Sequence, residues 1–299
     1  MAKFLLVIGF WLVAGNAAAF DACAKNYNPI AQSYKSGLFF IAQKCGQQPN
    51  YVMGTMHTDD PKVIELHKTA IITLENSKAA LFEIKMDEVA IAQTLQAMYF
   101  NPTSGMNLKK AVGDKTYNKF LSKVTEPAEG NEMLKPWAAA VILQYPKNVA
   151  DGVPLDMRLQ KFAEGKNINV VGLETPQEQL GIFDSLPMEK QIQMLVELLD
   201  SYAESKKIEK KMIDSYMAKD LNRLAALIPE SIAFSKNKPE AESMLEKLIY
   251  QRNVKMAQRA EKYFAAGNGF MAVGALHLPG ERGVLDLLEN NGYKIEAVY

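Results

Sequence analysis

Two of the three histidines in this 299-residue chain share a four-residue frame: Gly54-Thr55-Met56-His57 near the start and Gly274-Ala275-Leu276-His277 near the end. Each frame follows a short apolar run, Tyr51-Val52-Met53 for the first and Phe270-Met271-Ala272-Val273 for the second. Such runs read as buried strands, and a glycine at a strand end permits a sharp turn or a close approach. A histidine three residues on stands just past the strand, at the edge where α/β sheets hold their ligands. Imidazole is a common metal ligand and a general base near neutral pH. The matched frames predict one site assembled from both ends of the chain. Taken singly, either histidine is an ordinary structural residue.

Two carboxylates occupy comparable places. Glu83 ends the apolar run Ala79-Ala80-Leu81-Phe82, and Glu174 ends a strand predicted over 167–173. Two imidazoles with one or two carboxylates make a ligand set for Zn2+, Mn2+, Co2+ or Fe2+. An ion with an open position polarises a carbonyl and acidifies water, and a carboxylate not bound to it can take the proton. The plainer reading makes both glutamates caps or first-turn acids of the helices that follow. Arg252, within a long predicted helix, is placed to clamp a substrate carboxylate or to pair with a site acid. Asp156 reads as a first-turn acid, and His67 as a structural or exposed residue within a helix. The chain has no G-x-S-x-G elbow, no H-E-x-x-H and no Gly-rich phosphate loop. That argues against serine hydrolases, zincins and nucleotide enzymes.

Elements that position these groups can be read around them. A hairpin is predicted from 38–41 and 51–53. A helix is expected to open at Pro61, with Val63, Leu66, Ala70, Ile71 and Leu74 at helical spacing. A strand over 79–82 and a helix from about Asp87 to Met98 follow. This βαβα rhythm predicts an α/β (α+β) fold, a central mixed β-sheet flanked by helices with a large helical middle region. Helices are predicted near 115–124, 134–144 and 154–164. The Leu-, Met-, Lys- and Glu-rich stretch 187–239 reads as a helical insertion or cap. One long helix is expected from Glu240 to Ala266, stopped by Gly267-Asn268-Gly269. A strand over 270–273, a helix over 281–290 and a closing strand over 294–298 complete the chain.

The formal net charge is zero, so no broad basic field invites nucleic acid. Residues 1–19 have the layout of a secretory signal: Lys3, an apolar run from Phe4 to Gly15, then Ala17-Ala18-Ala19. The expected location is therefore periplasmic or secreted, with residues 20–299 as one domain and membrane attachment only through an uncleaved signal. An even cysteine count in an oxidising compartment is compatible with a Cys23–Cys45 disulfide, the alternative being two buried thiols.

The chain resembles the TraB/GumN family, which is related to the Tiki metalloproteases. The resemblance rests on Tyr51-Val52-Met53-Gly54-Thr55-Met56-His57 followed by Asp60-Pro61, and on Leu81-Phe82-Glu83. It also rests on Val171-Gly172-Leu173-Glu174-Thr175, Arg252-Asn253, and Ala272-Val273-Gly274-Ala275-Leu276-His277-Leu278-Pro279-Gly280, ending in Gly292-Tyr293. It implies a central sheet with two facing halves and a helical middle. It carries the family's two histidine motifs and its acid onto His57, His277 and Glu83, with Glu174 and Arg252 matching further positions. Tiki-like members cleave peptides with Mn2+ or Co2+, while other related proteins bind haem or hydrolyse esters. The resulting expectation is an exported metallohydrolase acting on a peptide or protein, its Mn2+, Co2+ or Zn2+ held by His57, His277 and Glu83. Glu83, Glu174 and Arg252 are its expected catalytic groups. The alternative is a haem- or metal-binding protein without turnover, and a third reading makes the histidines purely structural.

Overall fold

The computed structural model describes residues 36–299 except 59, 66, 125–129, 145–152, 234 and 236. The expected signal segment and Cys23, hence the expected disulfide, lie outside the described residues. Among those described, six strands form one mixed sheet: β1 (Phe39–Gln43), β2 (Asn50–Thr55), β3 (Ala79–Ile84), β4 (Asn169–Glu174), β5 (Gly269–Gly274) and β6 (Lys294–Ala297). Their order is β4-β3-β5-β2-β1-β6. The first four in that row run parallel, and β1 is antiparallel to both β2 and β6. The expected hairpin is β1–β2, with Phe39 opposite Met53.

Parallel strands need crossovers, and helices provide them. They are α1 (Lys68–Glu75), α2 (Glu88–Met98), α3 (Leu108–Leu121), α4 (Pro136–Gln144), α5 (Leu155–Gly165) and α6 (Pro176–Asp184), then α7 (Met188–Asp200), α8 (Tyr202–Met217), α9 (Leu221–Ala233), α10 (Lys238–Leu245), α11 (Gln251–Phe264) and α12 (Val284–Asn290). The architecture is the α/β arrangement expected, mixed sheet included. None of the described helices is long and apolar enough to cross a membrane.

Two boundaries differ from expectation. The first helix starts at Lys68, not Pro61: residues 61–63 form a turn, and His67 is the N-cap, its Nδ1 accepting from Thr69 N–H at 3.3 Å. His67 therefore precedes the helix, and its ring also packs on Tyr299. The predicted 240–266 helix is interrupted by a π-turn over Glu246–Tyr250. One extra residue per turn there resets the face that α11 presents, a feature frequent beside functional sites.

The apolar residues form two cores. One surrounds the sheet and includes Phe39, Leu81, Phe82, Phe264 and Phe270. The other is helical, gathering Leu108, Phe120, Trp137, Leu143, Leu195 and Leu199. The 187–239 region contributes to both, Leu195 and Leu199 to the helical core and Tyr216, Leu221 and Leu224 to the sheet core.

Local capping also pins α6 against α11. Thr175 Oγ1 accepts from Glu178 N–H at 3.2 Å and Glu178 Oε2 accepts from Thr175 N–H at 3.0 Å, a capping box. Glu178 also receives both arms of Arg259, at 2.6 and 2.8 Å. That hydrogen bonding holds the Glu178 carboxyl at about 2, below its ordinary 4.5. The folded value is the lower one, so the stabilisation is complete above 4.5 and disappears as pH falls toward 2. The pair is partly exposed and so worth less than about 1 kcal/mol. Glu178→Gln, which can keep the cap, is expected to lower stability by that amount at pH 7 and by much less near pH 2. Urea midpoints at the two pH values test this, and an equal loss at both would contradict it.

Candidate active site

The strand order brings four candidate groups into one row. Along β4-β3-β5-β2, the carboxyl ends carry or lead into Glu174, Glu83, His277 and His57 in turn. Thr55 is opposite Gly274 across β2–β5, so the two histidine frames leave the sheet side by side, one residue out of step. Gly54 is needed here: a Cβ would stand 2.9 Å from Leu278 Cδ1 and 3.2 Å from the Ala275 Cα. The second loop thus packs directly on the first strand.

Glu83 is the hub. It is the charged residue of an otherwise apolar β3 and is only 7% exposed. Its Oε1 accepts from Gly274 N–H at 2.7 Å, and its Oε2 from Gln179 Nε2 at 3.0 Å and Arg252 Nη2 at 2.6 Å. A Cβ on Gly274 would lie 3.2 Å from Oε1, so this close approach suits glycine. His277 Nε2 stands 3.7 Å from Oε1, and His57 Nε2 stands 3.9 Å from Oε2. Burial works against the Glu83 charge, but His277, His57, Arg252 and the Gly274 amide together hold the carboxyl well below its usual range. It is a fixed anion.

Both imidazoles are oriented through Nδ1. His277 Nδ1 is 2.6 Å from Asn253 Oδ1, and the Asn253 amide is itself turned by donating to the Arg282 carbonyl at 2.9 Å. Asn253 therefore accepts the Nδ1 proton, leaving the Nε2 lone pair toward Glu83. Burial is the main cause of a His277 pKa of about 4, with Glu83 opposing and Arg252 and His57 adding to the fall. His57 Nδ1 is 2.9 Å from Asp156 Oδ1 at the start of α5. Desolvation would lower its pKa, but the Asp156 hydrogen bond and charge, with Glu83, outweigh it and raise the value to about 9. His57 is the open member of the cluster, its side chain 48% exposed.

Arg252 and Glu174 lie behind this cluster. Arg252 Nε meets both Glu174 oxygens at 3.1 and 2.9 Å, Nη2 bridges Glu174 and Glu83 at 2.8 and 2.6 Å, and Nη1 donates to Leu248 O at 3.1 Å. Its donors are committed to these partners, so of its two expected roles the geometry favours pairing with site acids over clamping a substrate. Neither Arg252 nor Glu174 lines the cleft in front of Glu83. The reason lies in α11: its buried stripe begins with Arg252 and Asn253 and continues through Met256, Ala257, Ala260 and Phe264. A helix that buries one face against the sheet carries its first two polar residues to the strand ends.

The cleft itself, of about 210 Å³, opens where the two cores meet. Its lining includes His57, Glu83, Asp156 and Thr55 together with Trp137 and Leu180. Sequence reasoning passed over two members of this arrangement. Asp156 had the signature of a first-turn acid, which it also is. Asn253 was visible only as the neighbour of Arg252, and its place on the buried stripe was the available signal. Among the described residues no group of three or more His, Cys, Asp or Glu forms a ready metal cage.

A mixed-sheet α/β protein that gathers two histidines and two glutamates at its parallel strand ends, tied by one arginine, is defined by motifs from both halves of its chain. The chain belongs to the TraB/PrgY/gumN family, whose model matches residues 38–297. No curated protein and no solved structure matches it.

Proposed function

We propose that this protein is a metal-dependent hydrolase acting on peptides, with His57, His277 and Glu83 holding a divalent ion, Mn2+, Co2+ or Zn2+. One observation carries the reading: both imidazoles commit Nδ1 to a side-chain oxygen and turn Nε2 toward the two oxygens of one ionised carboxylate. Ligating histidines are oriented in this way, their second nitrogen bonded to a carboxylate or carbonyl. On His277, which burial keeps neutral, the Nε2 lone pair faces an anion, a repulsive arrangement unless a cation intervenes. His57, its pKa raised, meets the same anion as an imidazolium whose Nε2 proton an ion would displace. Donors sharing one ion at ~2.1 Å stand roughly 3–3.6 Å apart, and the two imidazole–Glu83 separations, 3.7 and 3.9 Å, lie just beyond that range.

When bound, such an ion supplies Lewis acidity, polarising a carbonyl and easing deprotonation of water. The chain's own groups do the rest. Asp156 and Asn253 hold the two rings, and Arg252 with the Gly274 amide fixes Glu83. Glu83 is a ligand of the ion or, where the ion rests on the histidines, the general base that takes a proton from water. Hydrolysis places the water oxygen on the acyl carbon and its protons on the leaving amine. The layout of residues 1–19 supports export, with action in the periplasm or outside the cell.

The test is a calorimetric titration of the protein with Mn2+, Co2+ and Zn2+, beside His57→Ala/His277→Ala, followed by peptide-library cleavage. Wild type is expected to bind one ion, and the double variant to bind more than about 100-fold more weakly, beyond the usual loss of an outer partner. Equal binding by the variant would remove the metal site. Binding without cleavage would leave a metal-binding protein.

A further inference from the structure

We infer that the cleft beside His57 is a specificity pocket for one large apolar side chain of a peptide substrate, next to the bond attacked. The inference rests on the hydrolase reading above and names its substrate class. The apolar part of its lining includes Phe82, Met86, Met98, Trp137, Met157 and Leu180. They come from β3, the segment after it, and α2, α4, α5 and α6, so the pocket is a property of the fold and not of one loop. Its volume of about 210 Å³ is below the ~300–1,000 Å³ of sites that enclose a whole small ligand. It suits a side chain whose parent chain lies outside.

The charge distribution selects against polar occupants. The pocket's ionisable lining residues are His57, Glu83 and Asp156, and His57 stands close to both acids. Its amides also have partners within the protein. Gln160 Oε1 accepts from Met86 N–H and its Nε2 donates to Met86 O and Glu164, while Gln179 Nε2 donates to Glu83. A charged or amide side chain would give up much of its hydration against a lining that is mainly apolar. Three thioethers adapt to several apolar shapes, which predicts a preference for Leu, Met or Phe rather than one residue.

A second observation points to the substrate's main chain. Thr55 lines the cleft and is 1% exposed, and its buried hydroxyl has no hydrogen-bond partner among the described residues. Buried hydroxyls are normally satisfied. A peptide group of the substrate, beside the inserted side chain, supplies what is missing.

Trp137 lies in the wall, and the chain's other tryptophan is Trp11. The full chain carrying Trp11→Phe therefore reports pocket occupancy by fluorescence. The probes are capped tripeptides Ac-Ala-X-Ala-NH2 with X as Leu, Met, Phe, Ala, Asp or Lys, read by fluorescence titration and, with Mn2+, by cleavage. Leu, Met and Phe are expected to bind at least tenfold more tightly than Ala, with Asp and Lys weakest. Met157→Ala, which enlarges the pocket, is expected to shift the preference toward Phe. Thr55→Val is expected to raise KM for every X with the order of preference unchanged. Cleavage with no dependence on X, or an order untouched by Met157→Ala, overturns the pocket and leaves the hydrolase standing. Saturable, X-dependent binding with no cleavage of any peptide retains the pocket and removes the hydrolase.

Discussion

Arg252→Ala is expected to cost about 3–5 kcal/mol of folding stability, the largest loss of any single change at this site. Arg252 and Glu174 are buried, and Arg252 donates to two carboxylates at once. Removing the guanidinium leaves Glu174 in the interior with no counter-charge beside a Glu83 that keeps only His57, and leaves the Leu248 carbonyl without its donor. A domain stable by ~5–15 kcal/mol has little room for this. Arg252→Lys is not expected to rescue it, because one ammonium cannot reproduce the fork that meets both Glu174 oxygens and Glu83. The triple change Arg252→Met, Glu83→Gln, Glu174→Gln removes charge on both sides and is expected to recover most of the loss. Guanidinium unfolding of the four proteins measures this. A loss under 1 kcal/mol for Arg252→Ala would mean that the glutamates are neutral or find other partners.

That arginine also marks where sequence reading stops. The strands that bear His57, Glu83, Glu174 and His277 were legible, because each is a short apolar run ending in a polar group and β-structure enforces that pattern locally. Their order was not. Nothing in the residues of β5 states that it lies between β2 and β3. Yet that insertion is what sets His277 beside Glu83 and hands Gly274 N–H to the carboxylate. Asp156 was legible as a helix-start acid and illegible as a histidine partner, since both roles suit the same position on α5. The first helix was placed too early because Pro61 favours a turn as readily as a helix start, and the capping side chain proved to be His67. The apolar wall of the cleft escaped altogether, because its residues come from separate elements and each alone looks like ordinary core.

Glu83→Gln is expected to lower peptide cleavage by about 10²–10⁴-fold, the range for removing a positioned acid–base group. The substitution preserves shape but cannot preserve hydrogen bonding. Both carboxylate oxygens face donors: Gly274 N–H on one side, Gln179 and Arg252 on the other. Whichever way the new amide turns, its NH2 meets an N–H group, at a cost of about 1–3 kcal/mol. The stability loss is therefore smaller than for Arg252→Ala, while the functional loss is not. The two histidines no longer share an anion, so the attraction for a divalent ion disappears, and with it the acceptor for a water proton where Glu83 is the base. Assayed well below its unfolding midpoint, the variant separates these effects: folded protein, weakened Mn2+ binding and lost cleavage. Cleavage retained within threefold in folded Glu83→Gln would show that Glu83 braces Arg252 and the Gly274 loop and has no part in the chemistry.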